Sequence, residues 1–172
     1  MNCSGFFSLN FLFFDVTLQN DSSLVYRTFQ RANRAIKRRP LDCSEYNKLI
    51  SVFQVTGLNG CTFIDRTREP LNAYQECRDV VTVNEWTDRV YTHTPPEHII
   101  TNVVSGRKMR IQKYNFPDTV IWNPWLDKAK EIPDFGDDEY PNMISVMSGH
   151  VANPVTLMPG TAFEASQILQ VM

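Results

Sequence analysis

Short runs of β-branched and aromatic residues that alternate with polar ones, each closed by a turn signal, constrain this chain more than any other feature. A period of two sends successive side chains to opposite faces, so such runs build strands and not helices. Phe11 to Leu18 ends in the turn cluster Asn20-Asp21-Ser22-Ser23. Ile50 to Thr56 alternates and is closed by Gly57, and Asn59-Gly60 just beyond is the strongest short turn signal present. Cys61 to Ile64, Val80 to Val83, Arg89 to Thr92, His98 to Val104, Lys108 to Lys113 and Thr119 to Trp122 continue the series. Asn102, Ser105-Gly106 and Asn115-Phe116-Pro117 break it. Ser145 to Val146, Val155 to Met158 and Ala162 to Val171 close it, with Pro159-Gly160 as a turn. The pattern predicts an all-β sandwich, and 172 residues supply one core while being short for a large two-sheet fold.

Two segments depart from that rhythm. From Tyr26 to Arg39 the apolar Phe29, Ala32 and Ile36 fall at helical spacing among Arg27, Arg31, Arg34, Lys37, Arg38 and Arg39, and Pro40 stops the element. Pro124 to Glu131 is the second helical candidate, with Pro124 in the first turn and Trp125 and Ala129 on one face. The basic run could face nucleic acid or an anionic membrane by displacing counterions. No aromatic base-stacking pattern accompanies it, so a solvated helix face is the reading adopted, with neither nucleic acid nor membrane as partner. Residues 1–49 thus stand apart as a divergent basic segment ahead of a sandwich domain over 50–172.

The remaining bulk properties describe an ordinary globular chain: 42% hydrophobic, 21% charged, net charge −2. No apolar run reaches the ~18 residues of a membrane span, and Phe6 to Phe14 lacks the flanks of a secretory signal. Cys3, Cys43, Cys61 and Cys77 form no Cys-x-x-Cys pair, so reduced thiols in the cytoplasm are expected. A zinc site of Cys61, Cys77, His93 and His98 would need closer cysteines, and no metal is expected.

The segment Asp118-Thr119-Val120-Ile121-Trp122-Asn123-Pro124-Trp125-Leu126-Asp127-Lys128-Ala129-Lys130, followed by Asp134-Phe135-Gly136-Asp137-Asp138-Glu139-Tyr140, is long and unusual in composition. It resembles the glucose-6-phosphate 1-epimerase family, the hexose-6-phosphate mutarotases. Gly57-Leu58-Asn59-Gly60-Cys61-Thr62-Phe63-Ile64-Asp65-Arg66 is similar to the family's "GL-x-G-x-x-Y-I-D-K" element. Asp88-Arg89-Val90-Tyr91 is similar to its "D-R-V-Y", and Val155 to Gly160 to the strand and turn before its last strand. The resemblance covers about Ile50 to Met172, touches Phe14 to Ser22, and skips Tyr26 to Leu49. It implies a galactose-mutarotase-like supersandwich, here incomplete at its N-terminal strands, whose exposed sheet edges would invite self-association.

The resemblance also implies chemistry. Interconverting the anomers of a hexose 6-phosphate needs a carboxylate that takes the anomeric hydroxyl proton and an acid, usually imidazolium, that protonates the ring oxygen. Both steps move only protons, so no cofactor is required. In the family the base is a Glu in "V-E-x-G", and here Val146-Met147-Ser148-Gly149 places Met147 at that position. The acid is a His in an "L-H-x-Y-F" strand before the "GL-x-G" element, and the neighbourhood of Asp42 to Tyr46 holds none. His93, His98 and His150 all follow that point. Asp88 matches the family's sugar-hydroxyl contact, with a structural ion pair to Arg89 or another base as the alternative. Trp122, Asn123 and Trp125 are expected to line the same cleft or to pack the core. The family's phosphate-gripping residues lie upstream of this match. The expectation is therefore an isomerase relative without catalytic residues, inactive on hexose 6-phosphate, or else a non-catalytic carbohydrate-binding or interaction module.

Overall fold

The structure, a computed structural model, describes residues 53–69, 71–133, 135–136, 139–153 and 155–172, together with the strand backbone at 7–9, 14–19 and 24–25. The basic segment Tyr26 to Arg39 lies outside the described residues. In chain order the strands are β1 (Phe7–Leu9), β2 (Phe14–Gln19), β3 (Leu24–Val25), β4 (Phe53–Thr56), β5 (Thr62–Asp65), β6 (Ala73–Gln75) and β7 (Val80–Thr82). They continue as β8 (Thr87–Thr92), β9 (Glu97–Asn102), β10 (Lys108–Tyr114), β11 (Asp118–Asn123), β12 (Met143–Gly149), β13 (Val155–Leu157) and β14 (Ser166–Val171). A helix, α1 (Trp125–Lys130), and a 3-10 turn, Tyr140–Asn142, lie between β11 and β12.

Two antiparallel sheets dominate: one of seven strands in the order β3-β2-β12-β11-β8-β5-β6, one of five in the order β14-β10-β9-β4-β7. β1 pairs with β13 alone. The all-β sandwich read from the sequence is therefore the fold, and Phe14–Gln19 joins the large sheet beside β12.

Alternation decides which face is core. In β4, β9 and β10 every second residue is buried, so Phe53, Val55, Ile100, Met109 and Ile111 face the large sheet while their neighbours face outward. The large sheet answers with Tyr91, Ile121, Ile144 and Val146. Fully burying a side chain of this size stabilises by about 1.5–3 kcal/mol, so this contact is the main cohesive force between the sheets. β11 and β12 do not alternate, because Val120 and Met143 on the opposite face are buried too. Their continuous apolar runs, Val120-Ile121-Trp122 and Met143-Ile144, record burial on both sides.

At one end of the sandwich the inner layer is polar. Lys113 is buried, its Nζ donating to Thr94 Oγ1 and to the Asp118 carbonyl at 3.3 Å. Thr94 Oγ1 meets Thr119 Oγ1 at 2.8 Å, and Thr119 Oγ1 meets His98 Nε2 at 2.9 Å. This chain of hydrogen bonds ties β9 and β10 of one sheet to β11 of the other. Burial, reinforced by the Lys113 charge, pushes the His98 imidazole down to about 4. Burial pulls the Lys113 ammonium down to about 8.

His98 also explains the turn before β5. Gly57 has φ +89°, and a Cβ there would lie 2.6 Å from the Glu97 carbonyl oxygen and 3.1 Å from His98 Nδ1. Strain and collision act together at this position. Asn102 performs a parallel task after β9, its Oδ1 accepting from Val104 N at 3.0 Å and Ser105 N at 2.9 Å. That side-chain turn ends β9 at Asn102, before the apolar Val103 and Val104, which are exposed.

Two predictions follow from this end of the sandwich. Gly57→Ala should destabilise the protein by about 2–4 kcal/mol in urea denaturation, without altering the sheet content seen by circular dichroism. Both pKa shifts are downward, so the unfolded chain binds more protons in each window and stability rises with pH there. Stability should climb by at most about 1.4 kcal/mol per pH unit between 4 and 6.5 through His98, and again between 8 and 10.5 through Lys113. Lys113→Met should remove the alkaline slope and, by taking away the charge that reinforces the His98 shift, weaken the acid one; an unchanged alkaline slope would refute the assignment.

Candidate functional site

The chemistry-bearing residues collect on the large-sheet face that points away from the inter-sheet core. Directly opposed residues in antiparallel strands share a face. Trp122 of β11 opposes Asp88 of β8 on one side and Ser145 of β12 on the other. Val120, two residues back, opposes Val90 and Met147. Asp88, Trp122, Ser145 and Met147 therefore stand on one face of three adjacent strands, with buried Val90 and Val120 between them. Asp88, Trp122 and Met147 are only partly buried.

Asp88 is held by Arg66, whose Nε and Nη2 both donate to Oδ1, at 2.9 and 2.6 Å. Among the described residues, both bonds to this carboxylate fall on Oδ1. Its side chain keeps 22% exposure and that of Arg66 40%, so the pair sits at solvent and adds little to stability. Arg89 is not the partner, because the next residue along a strand points to the other face. There Arg89 Nε donates to Asp65 Oδ2 at 3.2 Å, and its guanidinium lies 5.4 Å from the Phe63 ring centroid. Burial pushes the Asp65 carboxyl up, but hydrogen bonds from Thr67 and Arg89 outweigh it and hold the group below its ordinary value.

Asn123 and Trp125 have other surroundings. Asn123 is fully buried on the core side, its Nδ2 donating to the carbonyls of Tyr140 and Met143, both at 2.8 Å. Its Oδ1 accepts from Trp125 N at 2.8 Å. Trp125 has φ +53°, a left-handed conformation that costs a bulky side chain about 1–3 kcal/mol. The Asn123 bond and an edge-on contact with Tyr140, ring centroids 5.1 Å apart, offset that strain. The asparagine thus clamps the loop after β11 to the 3-10 turn before β12, fixing the two strands that carry Trp122 and Met147.

The three histidines stand elsewhere. His98 is buried between the sheets on Thr119. His93 is exposed, in the turn after β8. His150, just past β12, has Nε2 at 3.1 Å from the Asn115 carbonyl and its ring edge-on to Phe163. Cys61 is buried in the core and Cys77 exposed, both as free thiols. Among the described residues no cluster of three His, Cys, Asp or Glu side chains is arranged to hold a metal ion.

One titratable group that the sequence reading passed over lies at the far end of the core. Tyr91 Oη donates to Glu76 Oε2 at 2.9 Å, and Arg78 grips both Glu76 oxygens at 2.8 Å. Burial pushes Glu76 up, yet these donors prevail and hold it at about 2. The carboxylate is saturated by protein donors, which makes it a structural anchor for β6 and not a base. Its only signal in the sequence is the Glu-x-Arg spacing of Glu76 and Arg78.

The family model described as aldose 1-epimerase matches residues 41–170. A protein of Cenchrus ciliaris described as "Putative glucose-6-phosphate 1-epimerase" is 35% identical over 111 residues, which is 64% of this chain and 33% of that protein. The chain thus spans about a third of the length of this curated relative. The crystal structure of a "putative mutarotase (YeaD)" from Salmonella typhimurium aligns with TM-score 0.60 at 21% identity, over 70% of this chain and 39% of that one. The structure of HI1317 aligns with TM-score 0.56 at 16% identity, over 70% and 40% respectively. These two likenesses establish the fold. With a family match that takes in well over half of the sequence on the same two-sheet architecture, this chain belongs to the aldose 1-epimerase family.

Proposed function

We propose that this chain binds a hexose 6-phosphate or a related sugar on the β8-β11-β12 face and does not catalyse its anomerisation. The observation that carries the reading is Met147. It occupies the face shared by Asp88 and Trp122, at the position where the resemblance puts a catalytic glutamate, and a thioether has no proton chemistry at useful pH. Among the described residues no imidazole shares that face, since His93, His98 and His150 are placed elsewhere. Ring opening needs a base and an acid together, each typically contributing ~10²–10⁴ in rate.

Recognition needs less. Asp88 Oδ2 can accept from a sugar hydroxyl while Arg66 fixes the carboxylate through Oδ1, and the Trp122 indole offers an apolar surface to a sugar ring. Arg66, partly exposed beside it, is a cation within reach of an anionic substituent. Asn123 and Trp125 act from behind by fixing the strand ends. Two free thiols, Cys61 and Cys77, suit the reducing conditions of a cytoplasm.

Polarimetry on freshly dissolved α-glucose 6-phosphate should show equilibration at the spontaneous rate, with or without protein. Acceleration above buffer would overturn the claim of inactivity. Met147→Glu alone should leave that rate unchanged, because the acid is still missing, and recovery in the single variant would refute it. Saturation-transfer NMR should detect glucose 6-phosphate on the wild-type protein, with Asp88→Asn weakening binding by about tenfold, the equivalent of one charge-assisted hydrogen bond.

A further inference from the structure

β14 ends the five-stranded sheet on one side, and it is fastened at both ends. Asn115 Nδ2 donates to the Glu164 carbonyl at 2.7 Å just before the strand, and Met172 N donates to the Lys108 carbonyl at 2.9 Å just after it. Between them Ser166–Val171 runs antiparallel to β10, from Ser166 opposite Tyr114 to Val171 opposite Met109. Among the described residues no strand pairs with the other side of β14.

The Met172 bond fixes which backbone groups are left over. In an antiparallel strand the N–H and C=O of one residue point to the same side, and successive residues point to opposite sides. Met172 bonds toward β10, so Gln170, Ile168 and Ser166 do too. Gln167, Leu169 and Val171 therefore direct their N–H and C=O groups away from β10, along the open edge. The same three side chains oppose Lys113, Ile111 and Met109 on the inner face, where Leu169 packs against the core and Val171 stays exposed at its margin.

An open edge is a template for another strand, and proteins blunt it with a Lys, a Pro, a bulge or a very short strand. β6 and β7, the edges that end the two sheets on the other side, have three residues each, and the charged Glu76, Arg78 and Asp79 lie between them. β14 has six residues and none of these devices. Ser166-Gln167-Ile168-Leu169-Gln170-Val171-Met172 holds no charge, no proline and no glycine, and Ile168, Val171 and Met172 are exposed.

We infer that β14 pairs with β14 of a second copy of this chain, antiparallel about a two-fold axis at Leu169, joining the two five-stranded sheets edge to edge. This register uses every leftover group. Leu169 faces Leu169 of the second copy and Gln167 faces its Val171, for about six backbone hydrogen bonds in all. On the inner face the half-covered Leu169 gains an apolar neighbour, and on the outer face Ile168 lies against Gln170 of the second copy. Identical strands usually oppose like charges when they pair, and this one has none to oppose. A pairing of this length buries less than the roughly 1,200 Å² of a stable interface, so the dimer is weak and forms in proportion to concentration.

Sedimentation velocity on the full chain across a wide concentration range should show a reversible equilibrium between monomer and dimer. Val171→Pro removes an N–H that points away from β10, so the ladder to β10 is kept while the dimer should weaken about tenfold or more. Val104→Asp is the control, because Val104 is as exposed as Val171, both at 66%, but lies in the turn after β9. It should leave the equilibrium unchanged. Equal weakening by both substitutions would mean general apolar stickiness and overturn the pairing, as would a monomer at every concentration. Amide exchange on the wild-type chain needs no variant: the amides of Gln167, Leu169 and Val171 should exchange more slowly as protein concentration rises. Protection of those three amides that does not change with concentration would show the edge covered from within the chain, and would refute the proposal.

Discussion

The pairing of β11 with β8 on one side and β12 on the other is the constraint on which the rest of the molecule depends. Because side chains alternate strictly, a slip of one residue in either ladder would send Ile121, Tyr91 and Val146 out of the core and bring Trp122, Asp88 and Met147 into it. The core therefore enforces the register. Ile121, Tyr91, Ile144 and Val146 are all essentially inaccessible, and exposing even two of them would remove several kcal/mol. The candidate site inherits its geometry from this apolar contact on the reverse side of the same sheet, and Asn123 locks the open end by joining Tyr140, Met143 and Trp125.

A second layer of specification comes from polar groups inside the sandwich. Apolar packing holds two sheets together but says little about how they slide, whereas the run Lys113–Thr94–Thr119–His98 joins fixed atoms of both. Each bond contributes only about 0.5–1.5 kcal/mol net, and burying the ammonium opposes it. The downward shifts of Lys113, to about 8, and of His98, to about 4, follow from that burial. Specificity of packing is what the network supplies in return, and neither group lies on the face that carries Asp88 and Trp122.

Period two and turn residues located nearly every strand from β4 onward, because those strands sit at or beside an interface that buries one face. β4, β9 and β10 show the resulting alternation of burial most clearly. β6 escaped notice since Ala73, Tyr74 and Gln75 are all exposed and carry no alternating signal. The reading of His98 to Val104 as one strand ran too far, because the Asn102 side-chain turn overrides the β propensity of Val103 and Val104. The site was legible in part. Asp88, Trp122 and Met147 came from local motifs, and the ladders place all three on one face. The commitment of Asn123 to backbone carbonyls and the choice of Arg66 over Arg89 as the partner of Asp88 both arise from pairings distant in sequence. No window of neighbouring residues contains them.

On the proposed reading, Met147 stands at the position of a catalytic glutamate, and folding and chemistry make different demands on that position. Position 147 is half-buried beside the fully buried Val120, so a glutamate there is partly desolvated, which raises its pKa and makes it a better base at a cost in stability. Methionine fills a similar volume with no charge to desolvate. Folding depends on the apolar face, the ladder and the Asn123 clamp, whereas catalysis adds a demand for a base and an acid that the fold does not itself require. On the proposed reading, a chain that meets the demands of the sheet without the chemical one goes on matching its family, and Asp88 on that face answers to binding alone.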